Sequence, residues 1–431
     1  MKQFNHKKQN VMKQFNHKST LLAIAMCAMC TNMNAQAWDG TSAECTKGDG
    51  SKANPYLIEN PQNLAWLAEQ VNGGNTFEGK NFKLAADLDM GGNEHTFPMI
   101  GKFDKYIDTS NNETVDASFY FKGTFDGAKH VIDNLYVEYI NEELGGTGLF
   151  ACTTNGTEIR NIIIGSNSTV KGGITSGMFI GQMNGGIIEY CENRGHLDAN
   201  MYSAGIVGVM EGGIVRFCSN SGNIDGATEI SGIVGQGAVN GIATYCYNTG
   251  YVKSSGYGGA GIAGATYDTF SVSNSYSLGK AEGLTNQWLG KPQAIVSSKD
   301  GNSTIKNCYY VLELTGVDDP NATAVTADEM KQADFLTKIN AGEDAFVADT
   351  KNINNGFPIL KWQATVATGI KHINNFASTA ITLDGNTVVC DQPVKVYTLE
   401  GVLVASGHDV TLDKGTYVIK ADGAMKKVVI K

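Results

Sequence analysis

Four charged residues, Asp198, Asp225, Lys253 and Glu282, recur at one phase of a repeating sequence. If the repeats stack, neighbours in this column lie about 5 Å apart, close enough for two carboxylates to act as acid and nucleophile or to hold Ca²⁺. The alternative is a row of solvated strand positions, with Lys253 balancing the acids on either side. A second candidate is Gly259-Ala260-Gly261-Ile262-Ala263-Gly264, which satisfies the dinucleotide fingerprint G-x-G-x-x-G. That fingerprint needs a following helix, and here Ala265-Thr266-Tyr267-Asp268 reads as a further β run. Tyr247, Tyr251, Tyr257, Tyr267 and Tyr276 cluster in the last repeats. They make either an exposed stacking surface for sugars or protein, or an internal aromatic ladder.

Other reactive patterns are weak. The histidines, His6, His17, His95, His130, His196, His372 and His408, are scattered without metal-ligand spacing. Cys27-Ala28-Met29-Cys30 spells C-x-x-C inside an apolar run that reads as an export signal, and bulky Met29 argues against a lipid anchor at Cys30. There is no G-x-S-x-G elbow and no Cys/His pair at supporting spacing. No cofactor and no catalytic activity are expected.

The signal has a lysine-bearing start, the apolar run from Leu21 to Met29, and Ala35-Gln36-Ala37 before Trp38. Because MKQFNH occurs at both Met1 and Met12, Met12 is a second possible start; the signal survives either choice. Cleavage between Ala37 and Trp38 removes five lysines and no acid, taking the formal charge from −10 to −15. Such an acidic surface disfavours nucleic acid and anionic membranes. No other stretch is long and apolar enough for a transmembrane helix. Cys45, Cys152, Cys191, Cys218, Cys246, Cys308 and Cys390 remain, an odd number read as packing residues.

Repetition dominates the remainder. Gly148-Leu149-Phe150, Gly177-Met178-Phe179, Gly205-Ile206-Val207, Gly232-Ile233-Val234 and Gly261-Ile262-Ala263 follow one another at steps of 29, 28, 27 and 29 residues. In phase with them run Tyr190-Cys191-Glu192-Asn193-Arg194-Gly195, Phe217-Cys218-Ser219-Asn220-Ser221-Gly222 and Tyr245-Cys246-Tyr247-Asn248-Thr249-Gly250, then a degenerate copy at Asn274 to Gly279. The units are β-like, and 52 glycines against 7 prolines suit tight coils. The expected fold is all-β: a parallel β-helix solenoid with short capping helices, followed by a small C-terminal β-sandwich. Leu197, Ile224, Val252 and Ala281, each set between mostly polar neighbours, are expected to stack inside. Cys191, Cys218 and Cys246 form a second column continued by Ser275; whether they or the preceding Tyr190, Phe217 and Tyr245 face inward depends on an unlocated bend.

Asn60-Pro61 followed by Leu64, Leu67, Ala68 and Val71 marks a helix covering the first coil. Asp104 to Asp116 reads as a protruding loop. Thr326-Ala327-Asp328-Glu329 is a capping box opening a helix to about Ile339, and Asn355 to Trp362 contains a closing strand. The domains are thus a signal (1–37), a β-helix passenger (38–365, repeats about 146–312), a linker (366–375) and a C-terminal secretion module (376–431).

Gly-Ile-Val-Gly, a β run and Cys-x-Asn-x-Gly together resemble the GLUG repeat of bacterial surface β-helix proteins. The flanks "DGSKANPYLIENPQNLAWLAEQVNGG", "FKGTFDGAKHVIDNL" and "NNGFPILKW" are similar to segments that open and close such domains, from Asp49 to Trp362. This resemblance implies a right-handed β-helix and an adhesin-like role at the cell surface. The tail, with Lys395, Tyr397, Gly401, Gly415, Tyr417 and the terminal Lys431, resembles the C-terminal sorting domain of the type IX secretion system. That implies a Gram-negative cell whose secretion machinery engages the tail and delivers the protein outside or to the outer surface. The expected function is binding of a glycan or of a host or matrix protein. A β-helix polysaccharide lyase or glycoside hydrolase is the alternative from another class, and a purely structural surface protein the third.

Overall fold

The computed structural model describes residues 37–110, 112–140, 145–288, 290–366, 382–384, 386–389, 394–398, 403–407, 410–421 and 424–430. The repeats form a parallel β-solenoid whose coils each contribute four short strands to four sheets. One coil runs Glu158–Arg160 (sheet 1), Ile163–Ile164 (sheet 2), Thr169–Gly172 (sheet 3) and Ile180–Asn184 (sheet 4), and Ile187–Glu189 re-enters sheet 1. Sheets 1 and 2 hold nine strands each, sheets 3 and 4 six each. Strands of two to six residues suffice because each inner strand is hydrogen-bonded on both edges by the coils before and after it.

Alternation sets what enters the core. In sheet 1, Phe82, Phe125, Ile159, Ile188, Val215, Ala243, Val272 and Ile305 follow one another in register. In sheet 3, Val137, Val170, Leu197, Ile224, Val252 and Ala281 do the same. All six of the latter are buried, so the expected Leu197 to Ala281 column is present and two residues longer. One alignment slips: Ile180 pairs with Val207, and Gly177 pairs with Ala204 rather than Gly205. Gly177-Met178-Phe179 therefore lies one residue out of phase with the copies after it.

The bend between sheets 1 and 2 decides which residue of each Tyr-Cys or Phe-Cys pair turns inward. Asn161, Tyr190, Phe217, Tyr245, Asn274 and Asn307 stack at this corner with φ of 55°, 56°, 53°, 51°, 48° and 55°. A left-handed residue reverses the chain and puts its own side chain outside, while the next one, Ile162, Cys191, Cys218, Cys246, Ser275 or Cys308, is buried. The aromatics recover part of that backbone cost by stacking: Tyr190 on Phe217 at 5.0 Å and 7°, Phe217 on Tyr245 at 5.4 Å and 15°. The thiols beneath are free, and burial pushes those of Cys218 and Cys246 well up and that of Cys308 up to about 12. A thiol-specific disulfide reagent at pH 8 is expected to leave Cys191, Cys218, Cys246 and Cys308 unlabelled in native protein and to label all four in guanidinium, read peptide by peptide. Labelling within minutes without denaturant would contradict this packing.

The Asn of Cys-x-Asn-x-Gly builds a buried amide ladder. Asn193 Nδ2 donates to Asn220 Oδ1 at 2.7 Å, and Asn220 Nδ2 donates to Asn248 Oδ1 at 2.8 Å. Each also donates to the carbonyl two residues on, at Gly195, Gly222 and Gly250. The glycines make room for it. A Cβ on Gly205 would lie 2.4 Å from Asn220 Oδ1, and one on Gly222 would lie 1.8 Å from the Gly195 carbonyl oxygen.

The ends are closed differently from one another. Helix α1 (Pro61–Asn72), capped by the Asn60 side chain and opened by Pro61, buries Leu64, Leu67, Ala68 and Val71. At the far end, α2 (Leu312–Thr315) leads to Asp319, whose buried carboxylate accepts from the backbone N–H of Ile295 and Val296, both at 2.9 Å. This occupies donors of the last strand of sheet 4, Val296–Lys299.

Two expectations need correction. Asp104 to Asp116 is an antiparallel hairpin, Lys105–Asp108 with Glu113–Asp116, rather than a loop. The helix begun by the Thr326 capping box is two helices, α3 (Ala327–Met330) and α4 (Ala333–Asn340), which lie along the outer face of sheet 2 instead of over its end. There Met330, Phe335, Ile339, Phe346, Phe357, Leu360 and Trp362 bury Ile163, Tyr247 and Tyr276 and pack against the half-buried Tyr309. Among the described residues the strand Ile359–Leu360 pairs only with Phe346–Val347, inside this clasp. The 366–375 linker lies outside the described residues apart from Val366. The C-terminal strands form two antiparallel sheets of three and four strands around Val388, Val394, Val396, Leu412, Ile419, Val428 and Ile430. Among the described residues no helix is long and apolar enough to cross a membrane.

Candidate functional site

On the outer face of sheet 3, the residue after each buried middle position is charged on every coil. Strand register stacks Glu138, Lys171, Asp198, Asp225, Lys253 and Glu282 into one column, so the four residues expected from the sequence gain two members at one end. Glu138 and Lys171 were legible in principle, because Val137 and Val170 show the same alternation in less regular coils. The row beside it carries Tyr136, Thr169 and His196 in register, and Tyr251 and Lys280 on later coils.

The column is treated differently at its ends and its middle. Glu138 accepts from the Tyr136 hydroxyl at 2.6 Å, and Lys171 Nζ sits 5.8 Å from the Tyr136 ring centre. Glu282 pairs with Lys280 and accepts from the Tyr251 hydroxyl; these two bonds hold its carboxyl below the usual range. Between these ends a groove of about 410 Å³ opens, lined by Lys171, Asp198, Asn200, Asp225, Lys253 and Ser255 among others. Asp225 meets only His196 Nδ1, at 3.7 Å, while Asp198 and Lys253 make no ion pair within 4.0 Å among the described residues. Of the four expected residues, three line the groove; Glu282 is drawn off by Tyr251 and Lys280.

The outer face of sheet 1 shows the contrast. There Asp126 and Arg160 are joined at 3.1 Å, and Glu189 and Arg216 at 2.7 Å. Both faces have charged residues stacked at coil spacing. One is closed into pairs, and the other leaves the hydrogen-bonding capacity of its middle members facing solvent.

The tyrosines do not form one face. Tyr247 and Tyr276 stack at 5.1 Å and 2° beneath the clasp; Tyr247 donates to Gln363 Oε1 at 3.0 Å and Tyr276 to the Pro358 carbonyl. Tyr267 lies elsewhere, donating at 3.2 Å to the buried Glu229. Tyr251 alone of the five lies beside the charged column, and Tyr257 ends the strand that carries Lys253. Gly259 to Gly264 leads into the strand Ala263–Thr266 rather than a helix, and a Cβ on Gly261 would lie 2.1 Å from Ser277 Oγ. That closeness serves core packing of the solenoid. Among the described residues no group of three or more His, Cys, Asp or Glu is gathered as a metal site.

The remaining expected sites are placed as follows. Ala37 is exposed and Trp38 buried, its backbone N–H bonded to Asp89 O at 2.9 Å and its ring edge-on to His95 and Phe97. Residues 1–36 lie outside the described residues. Lys395 and Tyr397 lie on the strand Val394–Tyr397, which pairs with Gly415–Ala421, the strand of Gly415 and Tyr417. Gly401 and Lys431 lie outside the described residues.

These coils and faces define a parallel β-solenoid with a lateral groove. No protein-family model matches the chain, and no curated protein matches it. Among solved structures, it is similar to a crystal structure from Bacteroides ovatus named "putative immunoglobulin A1 protease", with 21% identity and a TM-score of 0.53. The alignment covers 74% of this chain and 95% of that one, a likeness of fold.

Proposed function

We propose that this chain is a secreted bacterial surface β-solenoid that binds a ligand through the outer face of sheet 3, in the manner of an adhesin. The observation that carries this reading is the groove itself, where among the described residues Asp198 and Lys253 make no ion pair and Asp225 meets only His196, at 3.7 Å, while the charged column on sheet 1 is paired at 3.1 and 2.7 Å. Unpaired polar groups collected in a concavity are what a ligand needs to fix its orientation. The signal ending at Ala37 and the tail around Lys395, Tyr397, Gly415 and Tyr417 support export by a type IX secretion machinery. In this reading the tail is a partner for transport and the solenoid is the part displayed.

A residue that fills the groove tests the proposal. Ala227→Arg is expected to abolish attachment of the purified protein to host-cell glycans and matrix proteins, whereas Ile242→Arg, exposed on sheet 1, leaves it intact. Equal loss in both variants, or in neither, would remove sheet 3 as the binding face.

The pair Asp198 and Asp225 on neighbouring strands favours one second reading, carboxylate-based cleavage of a glycan. Proteolysis, the activity in the name of the structural neighbour, has a weaker footing, since the groove offers two carboxylates and two ammoniums but no nucleophile paired with a base. Turnover of any polysaccharide, with or without Ca²⁺, that disappears in Asp198→Asn or Asp225→Asn would replace binding by catalysis.

A further inference from the structure

We infer that the groove on sheet 3 takes an uncharged, linear, hydroxyl-rich glycan lying along the solenoid axis, with about one sugar per coil. This rests on the proposed binding face and assigns its ligand class.

Charge is the first argument. The four charged side chains that line the groove are Lys171, Asp198, Asp225 and Lys253, two cations and two anions with no net charge. The further carboxylates of the column, Glu138 and Glu282, are engaged by Tyr136 and by Tyr251 with Lys280. A polyanion would meet Asp198 and Asp225 at the centre, and a polycation would meet a lysine at each end. An uncharged chain escapes both conflicts. Against it the same groups act as strong hydrogen-bonding partners, with ammoniums donating to ring or hydroxyl oxygens and carboxylates accepting from adjacent hydroxyls. Asn200 and Ser255, which also line the groove, can each donate and accept.

Repeat length is the second argument. Lys171, Asp198, Asp225 and Lys253 lie on four successive strands, so three coil steps separate the first from the last, about 14 Å at the ordinary strand spacing. An extended chain of linked pyranoses advances by nearly the same length per sugar as the solenoid does per coil. A chain laid along the axis therefore presents one set of hydroxyls to each charged rung, and four sugars span the groove.

Aromatic placement is the third. Tyr136 and Tyr251 stand two residues before the charged column along their strands, whereas Asn200 and Ser255 follow it, so the rings border the column near its two ends rather than line the groove. Each is fixed by a carboxylate at its hydroxyl and a lysine at its ring. Amphipathic rings held in place at little entropic cost are suited to the apolar faces of sugars.

The test is calorimetric titration of the full chain with β-linked gluco-, manno-, xylo- and galacto-oligosaccharides of two to six units, at two salt concentrations. At least one series should bind, tightening from two to four sugars and gaining less than threefold from four to six. Its Kd should change less than twofold between 50 and 500 mM NaCl, since the groove carries no net charge to screen. Lys253→Met and Asp225→Asn should each weaken it at least tenfold with unchanged melting temperature. Tyr251→Ala, which leaves the formal charge of the chain unchanged, should weaken it about as much.

Failure of all four series at millimolar concentration overturns the inference. So does tighter binding by a sulfated or uronic acid polymer with steep salt dependence. A protein ligand whose binding Ala227→Arg blocks would leave sheet 3 as the binding face and overturn only the glycan.

Discussion

Replacing Asn220 by alanine is expected to destabilise the solenoid by about 3–5 kcal/mol, at the upper end of single-residue effects. The side chain is fully buried in the middle of the amide ladder. Its loss leaves Asn193 Nδ2 without Asn220 Oδ1, Asn248 Oδ1 without Asn220 Nδ2, and the Gly222 carbonyl without its donor. Asn193 Nδ2 keeps the Gly195 carbonyl and Asn248 Oδ1 keeps the Gly250 N–H, but each loses one partner in a buried ladder and the Gly222 carbonyl loses its Asn220 donor, a larger cost than the loss of surface hydrogen bonds. Because coils interact chiefly with their neighbours, the damage should appear as a second, earlier unfolding transition rather than as a uniform shift. Thermal and urea unfolding followed by far-ultraviolet circular dichroism measure this. Asn220→Asp, which keeps the shape but removes the donors and introduces a buried charge, should be no better tolerated. A loss under 1 kcal/mol for Asn220→Ala would mean that the ladder is incidental to stacking.

Gln363→Ala is expected to loosen the clasp without unfolding the coils. Gln363 is buried, with Nε2 donating to Glu192 Oε2 at 3.1 Å and Ser219 Oγ at 3.0 Å, and Oε1 accepting from the Tyr247 hydroxyl and the Leu360 N–H, both at 3.0 Å. One side chain thus joins three coils of sheet 2 to the segment that covers them. Four bonds to one amide place the cost at roughly 2–4 kcal/mol, concentrated on the segment from α3 to Trp362. Proteolysis within 326–366 should accelerate at least tenfold, and Trp362, whose Nε1 now donates to the Phe217 carbonyl at 2.9 Å, should shift its emission to the red. Trp362→Ala combined with Gln363→Ala should go further and expose Tyr247 and Tyr276 to solvent. Cleavage at the parental rate in the double variant would show that the apolar contacts of Phe335, Phe346 and Phe357 hold the clasp alone.

These two cases lie at the limit of what the sequence shows. Leu197, Ile224, Val252 and Ala281 declare themselves because a strand with one buried face alternates, and alternation is local. The cysteine column was visible as a repeat, but its direction was not, since it turns on a left-handed residue that Tyr190, Phe217 and Tyr245 adopt against their ordinary preference. The spacing of Asn193, Asn220 and Asn248 ahead of a glycine two residues on was the signal for the ladder. Its meaning required knowing that successive asparagines lie on adjacent coils with their amides in line. The clasp left least trace, for its bonds join residues 144, 145 and 171 positions apart, and nothing near Gln363 names Glu192 or Ser219 as partner. For the same reason the tyrosines divided: Tyr247 and Tyr276 are covered by a distant segment while Tyr251 is not. The charged column shows itself by its phase in the repeats. That Glu282 is engaged while Asp198 stands open follows from Tyr251 reaching across from the neighbouring strand and Lys280 pairing from two residues away on the same coil.

The open face of sheet 3 is the central claim, and hydrogen exchange of the full chain on ligand binding tests it most directly. With any ligand that the protein retains, the backbone amides of His196–Asp198, Ile224–Gly226 and Val252–Tyr257 should become protected, while Ile214–Arg216, Ile242–Thr244 and Ser271–Ser273 on sheet 1 should exchange as before. Protection confined to sheet 1, to the clasp or to the C-terminal sheets would contradict the account.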